Sequence, residues 1–290
     1  MTRIDALLAA GPTVSFEFFP PRSPEAAATL ATTIAELAPL SPAFVSVTYG
    51  AGGTTRELTH DLVVRLLAEG TANPMAHLTA VGHTRAELAE LLARYREAGV
   101  ENVLALRGDA PRDATEAPLV ELAHAVELVA LAREVGQGRF SVGVAAHPEG
   151  HPESSDLATD RRHLAAKLEA ADFAVTQFFF AVEDWLRLVE DLAALGCDKP
   201  VLPGVMPVTD VAQIERFAAL SGATFPPALA ERLRAVADDA AEVRRIGVEV
   251  ATGLCRDLLE AGAPGLHFYT LNRSTATREI VANLGGALER

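Results

Sequence analysis

The stretch Val14-Ser15-Phe16-Glu17-Phe18-Phe19-Pro20-Pro21-Arg22 reads as a strand with one charged residue inside it. Strand side chains alternate between two faces. Val14, Phe16 and Phe18 therefore share one face, and Ser15, Glu17 and Phe19 the other. Neither Pro20 nor Pro21 can donate a ladder hydrogen bond, so the strand stops there. A helical pattern follows over residues 24–38, with Leu30, Ile34 and Leu37 at helical spacing, and residues 44–48 form the next strand. Strand, helix, strand is the repeating unit of this chain.

Outward from that unit, strands are expected at 75–79, 102–107, 140–146, 174–180, 201–206 and 265–271. Helical patterns fall between them, at 55–69, 84–98, 119–135, 157–171 and 182–195. A longer helical region, 210–261 with a break near 221–227, precedes the last strand, and a helix at 275–284 follows it. Thr84 and Glu87 have capping-box spacing, and Gly99, Gly196 and Gly262 stand where left-handed helix caps are wanted. Eight such alternations imply an α/β fold, a (β/α)8 TIM barrel with extra helices between the seventh and eighth strands. An open doubly wound sheet is the competitor, but its GxGxxG fingerprint after the first strand is absent. No Ser/Gly/Pro tract divides the chain, so residues 1–290 are read as one domain.

A formal net charge of −14 argues against nucleic acid and against an anionic membrane surface as partners. Cys197 and Cys255 form no CxxC pattern, which fits a reducing compartment and offers no zinc site. No apolar run reaches transmembrane length, and the run at 6–10 is too short for a secretory signal. The expectation is a cytoplasmic protein acting on a small molecule, with a homo-oligomer left open.

Catalytic groups of such barrels sit at the C-terminal strand ends. The polar exceptions collect there: Glu17, Thr48, His77, Arg107, Asp109, His147, Gln177, Tyr269, Asn272 and Arg273. A carboxyl on a buried strand loses hydration, which raises its pKa and suits a general acid. The competing reading pairs Glu17 with an arginine for structure alone. His77 by itself reads as a core histidine. His147-Pro148-Glu149-Gly150-His151 is not a zinc site of the helical HExxH kind, because Pro148 and Pro152 break the helix; no metal is expected. Of the run Phe178-Phe179-Phe180, Phe178 reads as core, and Phe179 shares a face with Gln177 and is a candidate ligand contact.

Taken together, these segments resemble the methylenetetrahydrofolate reductases, in their bacterial single-domain form. The markers are SFEFFPPR from Ser15, FVSVTYGA from Phe44, AHLT from Ala76, LRGD from Leu106, VAAHPEGHPE from Val144, TQFFF from Thr176, PGVMPV from Pro203 and HFYTLNR from His267. The resemblance implies hydride transfer from NADH or NADPH, through flavin adenine dinucleotide (FAD), to 5,10-methylenetetrahydrofolate, giving 5-methyltetrahydrofolate. It implies that Glu17 is the general acid that protonates N10 as the folate ring opens to an N5 iminium, and that Asp109 is the carboxylate beside the pterin. It further implies folate contacts from Gln177, Gln213, Phe217, Tyr269 and Arg273. Cofactor contacts are implied for Thr48, His77, Arg107, Gly108, His147, His151, Asp160 and Lys167.

Several flavin positions depart from the family pattern. His147 and His124 stand for tyrosines, His163 for an asparagine and Ala166 for an arginine, and Gly52-Gly53-Thr54 replaces a more polar loop. The expectation is weak or absent flavin binding, with hydride passing directly from the nicotinamide. The alternatives are the flavin-mediated reductase and a non-catalytic folate- or flavin-binding paralogue, which would tolerate loss of Glu17 and Asp109. A Schiff-base aldolase barrel is disfavoured because neither Lys167 nor Lys199 ends an expected strand.

Overall fold

The computed structural model describes residues 1–50, 55–109 and 119–288. Its strands are β1 (Thr13–Phe18), β2 (Phe44–Val47), β3 (Pro74–Thr79), β4 (Asn102–Leu106), β5 (Ser141–Ala146), β6 (Phe173–Thr176), β7 (Val201–Leu202), β8 (Gly204–Val205) and β9 (Gly265–Tyr269). Every pairing is parallel, in the order β7-β6-β5-β4-β3-β2-β1-β9-β8. β7 and β8 are two halves of one strand, interrupted at Pro203, where no ladder donor exists. The first half pairs with β6 and the second with β9, so the sheet closes through them into a (β/α)8 barrel. No helix among the described residues is long and apolar enough to cross a membrane.

The helices are α1 (Ile4–Ala10), α2 (Pro24–Leu37), α3 (Arg56–Ala68), α4 (Arg85–Glu97), α5 (Ala125–Gly136), α6 (Leu157–Ala170), α7 (Val182–Ala194), α8 (Val211–Ser221), α9 (Pro227–Arg234), α10 (Ala240–Glu260) and α11 (Thr275–Leu284). β1 shows why they pack as they do. Phe16 and Phe18 are buried in one cluster with Leu30 and Leu37 of α2, in the layer between barrel and helices. Burying each such ring is worth roughly 1.5–3 kcal/mol. Ser15 and Glu17 take the opposite face, towards the barrel interior, as the alternation requires. The Thr84 capping box at the start of α4 forms as expected.

A separate cluster fills the lower interior: Phe44, Met75, Leu104, Phe173, Val175 and Leu202, joined by Ile4 and Leu8 of α1. That helix was not expected from the short apolar run. It is anchored to the N-terminal strand ends, where Ile4 N–H donates to Asn102 Oδ1 (2.9 Å) and Asp5 N–H to Ser141 Oγ (3.1 Å). α1 thus forms the floor of the barrel.

Other boundaries differ for local reasons. α5 begins at Ala125, not at residue 119, because Leu119 accepts from Gly82 N–H and Val120 bridges to His83. β6 ends at Thr176, since Phe178 and Phe179 leave it for two different apolar clusters. The region between the split strand and β9 has a second break, where Asp239 caps α10 by accepting from the N–H groups of Ala241 and Glu242. β9 stops at Tyr269 because Leu271 and Asn272 have φ of 52° and 56°.

Candidate active site

A cavity of about 1510 Å³ opens at the C-terminal strand ends. Glu17 lies in its wall, held through its backbone. Its carbonyl accepts from Thr270 Oγ1 (2.6 Å), and the next loop is fixed by Asn272, whose side-chain amide binds both Phe19 N–H (2.8 Å) and Phe19 O (3.0 Å). Asn272 therefore pins the chain after β1 to the chain after β9.

The Glu17 side chain is 12% exposed, and its Oε2 has His77 Nε2 at 3.6 Å and His267 Nε2 at 3.9 Å. Among the described residues no arginine or lysine comes within ion-pair distance of Glu17, so the structural Glu–Arg pair is not found there. Burial pulls His77 down to about 4, against the opposing pull of Glu17, and its Nε2 is buried without a hydrogen-bond partner. His267 is buried: Nδ1 lies 2.8 Å from Ser15 Oγ, Nε2 lies 3.3 Å from Ser46 Oγ, and the ring stacks on Phe44. Tyr269 donates its hydroxyl to Thr176 O, and burial pushes its phenol upward. Gly204 makes room for that ring, since a Cβ there would meet Thr176 O at 2.4 Å and Tyr269 Oη at 2.8 Å.

The opposite wall carries the expected cofactor positions. Arg107 pairs with Glu153 (2.6 Å), and Gly108, at φ 81°, passes so close to Thr79 that any Cβ would lie 2.7 Å from it. Asp109 is exposed and lines the cavity beside them. His147 and His151 meet edge to face, with ring centroids 4.6 Å apart, and burial pulls His147 down to about 4. Arg161, only 2% exposed, holds their loop by donating to His147 O (3.0 Å), Pro148 O (2.5 Å), Asp160 Oδ2 (3.0 Å) and Asp191 Oδ2 (3.2 Å). Asp160 in turn accepts from His151 N–H (3.0 Å) and Ser154 Oγ (3.2 Å), so its carboxylate is engaged with the loop. Lys167 Nζ reaches back from α6 to Ala145 O (2.6 Å), and burial pulls its pKa down to about 8.

The cavity brings together Glu17, Thr48, His77, Arg107, Gly108, Asp109, His147, His151, Asp160, Lys167, Gln177 and Tyr269. His124, His163 and Ala166 line it as well. Gln213 and Phe217, on α8, and the exposed Arg273 stay outside the lining, although Phe217 packs in the cluster that also touches Met206 and Tyr269. Phe179 is 2% exposed in the outer core and stays outside the cavity lining. The Gly52-Gly53-Thr54 positions lie outside the described residues. Sequence reading passed over His267, Ser15 and Ser46. The signal was available, because Tyr269 at the rim places His267 on the same inward face by alternation.

The sequence profile of the methylenetetrahydrofolate reductase family matches residues 3–285. The 5,10-methylenetetrahydrofolate reductases of Pectobacterium carotovorum and Escherichia coli K12 are each 36% identical over 273 residues, spanning 94% of this chain and 90% of theirs. Among solved structures, a Clostridium thermocellum protein described as binding two copies of 5-methyl-5,6,7,8-tetrahydrofolic acid superposes with a TM-score of 0.70 at 14% identity, covering 99% of each chain. That likeness speaks to the fold. The match of profile, relatives and length together means that this chain belongs to the methylenetetrahydrofolate reductase family.

Proposed function

We propose that the cavity reduces 5,10-methylenetetrahydrofolate to 5-methyltetrahydrofolate with hydride taken directly from NADH or NADPH, and that Glu17 is the acid. The observation that carries this reading is the setting of Glu17: one largely buried carboxyl between two imidazoles, in the wall of a cavity of about 1510 Å³. Ligand pockets commonly measure about 300–1,000 Å³, so two reactants can lie here side by side. The folate of the related reductases, and the methyltetrahydrofolate bound by the Clostridium thermocellum neighbour, suit such a space.

Each residue then has a task. Glu17 gives its proton to N10 as the carbon–N10 bond breaks, leaving an N5 iminium whose methylene carbon accepts the hydride. Asp109 offers a negative charge to that cation. Gln177 hydrogen-bonds the pterin, and Tyr269 shapes the wall between folate and nicotinamide. Gln213, Phe217 and Arg273 meet the outer part of the folate at the rim, with Arg273 facing its glutamate carboxylates. Thr48, His77, Arg107, Gly108, His147, His151, Asp160 and Lys167 border the dinucleotide.

The family's usual flavin dinucleotide fits these residues poorly. Its diphosphate would need cations, yet on the wall of the expected cofactor positions Arg107 is held by Glu153 and Lys167 by Ala145 O, and Asp109, Glu153 and Asp160 line the same cavity; Arg22, the further lining cation, follows β1 on the Glu17 side. Position 166, beside Lys167, is an alanine. A resident flavin must be bound tightly, whereas a nicotinamide that arrives and leaves needs only modest affinity.

The test is oxidation of NADH, then NADPH, with methylenetetrahydrofolate by protein purified without added flavin, its visible spectrum taken first. Turnover by colourless protein is expected. Turnover that requires flavin would reject direct transfer and leave the reductase standing. No turnover under either condition would reject the reductase in favour of a binding protein.

A further inference from the structure

We propose that Phe19 and Arg22 form an outer subsite for the folate: the Phe19 ring takes the aminobenzoyl ring carried on N10, and Arg22 takes a carboxylate of the glutamate tail. The inference rests on the reductase reading above and adds two residues to it. If Glu17 protonates N10, the ring bonded to N10 lies next to the Glu17 carboxyl. That ring cannot turn inward, because the apolar floor closes the barrel below and the doubly charged tail beyond the ring needs water. It therefore runs outward from Glu17 to the mouth.

Phe19 stands on that path. Glu17 and Phe19 both line the cavity, and two residues of chain span at most about 7 Å. The Phe19 side chain is 40% exposed, and no other aromatic ring of the described residues is as open to water. Its backbone is nonetheless fixed: from the loop after β9, Asn272 grips both the Phe19 N–H and the Phe19 carbonyl. Leu271 and Asn272 adopt left-handed φ values in making that turn, a conformation unfavourable for non-glycine residues. An apolar ring held in water on a fixed backbone gains by being covered, and little ordering remains to be done on binding.

Arg22 follows where Pro20 and Pro21 end the strand, and it is exposed and lines the cavity on the Glu17 side. The other lining cations are already held, Arg107 by Glu153 and Lys167 by Ala145 O. The ion pairs of the lining carboxylates, Glu153 with Arg107, Asp160 with Arg161 and Glu17 with its two histidines, leave Arg22 out. In a chain of net charge −14, such a cation is where an anionic tail is drawn. A guanidinium also matches a carboxylate with two parallel hydrogen bonds. Asn272 ties the Phe19 loop to the loop of Arg273, so the two arginines stand on pinned neighbouring loops and divide the two carboxylates of the tail.

The experiment compares methylenetetrahydrofolate with the same molecule carrying both tail carboxylates as amides. Arg22→Gln should raise KM about 3–10-fold for the natural tail, less as salt is added, and leave KM for the diamide within about 2-fold of the unaltered protein. Phe19→Ala should raise KM about 5-fold or more for both substrates. In each case kcat should stay within about 3-fold, the mark of binding lost equally from substrate and transition state. Both side chains are exposed and Asn272 grips backbone atoms alone, so both variants keep the fold, which an unchanged Tm verifies. Equal KM shifts for the two tails in Arg22→Gln, or an unchanged KM for the natural substrate in either variant, would overturn the proposal. Absence of turnover in the unaltered protein would reject the reductase reading instead, and equilibrium binding of 5-methyltetrahydrofolate and its diamide would then apply the same criterion to the subsite.

Discussion

Arg161 is the charged side chain on which the cavity wall of His147 and His151 depends, and its replacement by methionine is the sharpest test of that wall. The guanidinium makes four contacts from a position only 2% exposed: two backbone carbonyls of the loop that carries His147 and His151, and the carboxylates of Asp160 and Asp191. Methionine keeps the length and the apolar stem but leaves the Asp160 carboxylate and both carbonyls without their donor. Removing one partner of a buried ion pair costs about 3–5 kcal/mol. The orphaned carbonyls would add about 1–3 kcal/mol each if nothing moved. The loop can relax towards water, so the terms overlap, and about 3–5 kcal/mol is expected in total. For a domain near this size that lowers Tm by roughly 6–20 °C. Arg161→Lys restores the charge but not the fork, and should recover only part of the loss. Thermal and urea unfolding read the stability, and the KM for NADH reads the loop. A Tm within about 2 °C of the unaltered protein for Arg161→Met, or full rescue by lysine, would refute the clamp.

Glu17→Gln should lower kcat by about 10²–10⁴-fold while folate affinity, measured by equilibrium binding, stays within about 3-fold; unchanged kcat would remove Glu17 as the acid. Lys167→Met should stabilise the protein at pH 7 by about 1–2 kcal/mol while raising the KM for the dinucleotide. The sign follows from burial, which holds the folded pKa near 8 against an ordinary 10.5, so the lysine costs stability as pH falls from 10.5 to 8 and throughout the range below. A lower Tm at pH 7 would contradict this. His77 and His147 are both held near 4 against an ordinary 6.5, so the unfolded chain takes up their protons first, and stability falls as pH drops from 6.5 towards 4. His77→Gln should flatten that decline between urea melts at pH 7.5 and pH 5, and an unaltered slope would count against a buried neutral His77.

The barrel was legible because its signals are short-range and repeated. The alternation in β1 put Phe16 outward and Glu17 inward, and each strand–helix unit repeats that logic. What escaped depends on contacts distant in sequence. Leu119 and Val120 look helical, but Gly82 and His83 claim their backbone. α1 is too short to declare itself until Asn102 and Ser141 receive its first N–H groups. In the site, polar residues at strand ends were readable one at a time, whereas the spending of Asp160 on its own loop was not. Gln213, Phe217 and Arg273 follow the family pattern in sequence and yet stand outside the cavity lining, since sequence identity does not fix the path of α8 and the last loop.

Among the described residues, the floor laid by α1 and the apolar cluster above it closes the barrel at the N-terminal strand ends and leaves its mouth at the C-terminal ones. On the proposed reaction, donor and acceptor share that mouth, and to the extent that one lies beneath the other the deeper enters first and leaves last. Such an order is visible in kinetics: the product that leaves last should inhibit competitively against the reactant that enters first, and every other pairing of product and reactant should show mixed inhibition. The helix that seals the far end thus sets the order of traffic at the near one.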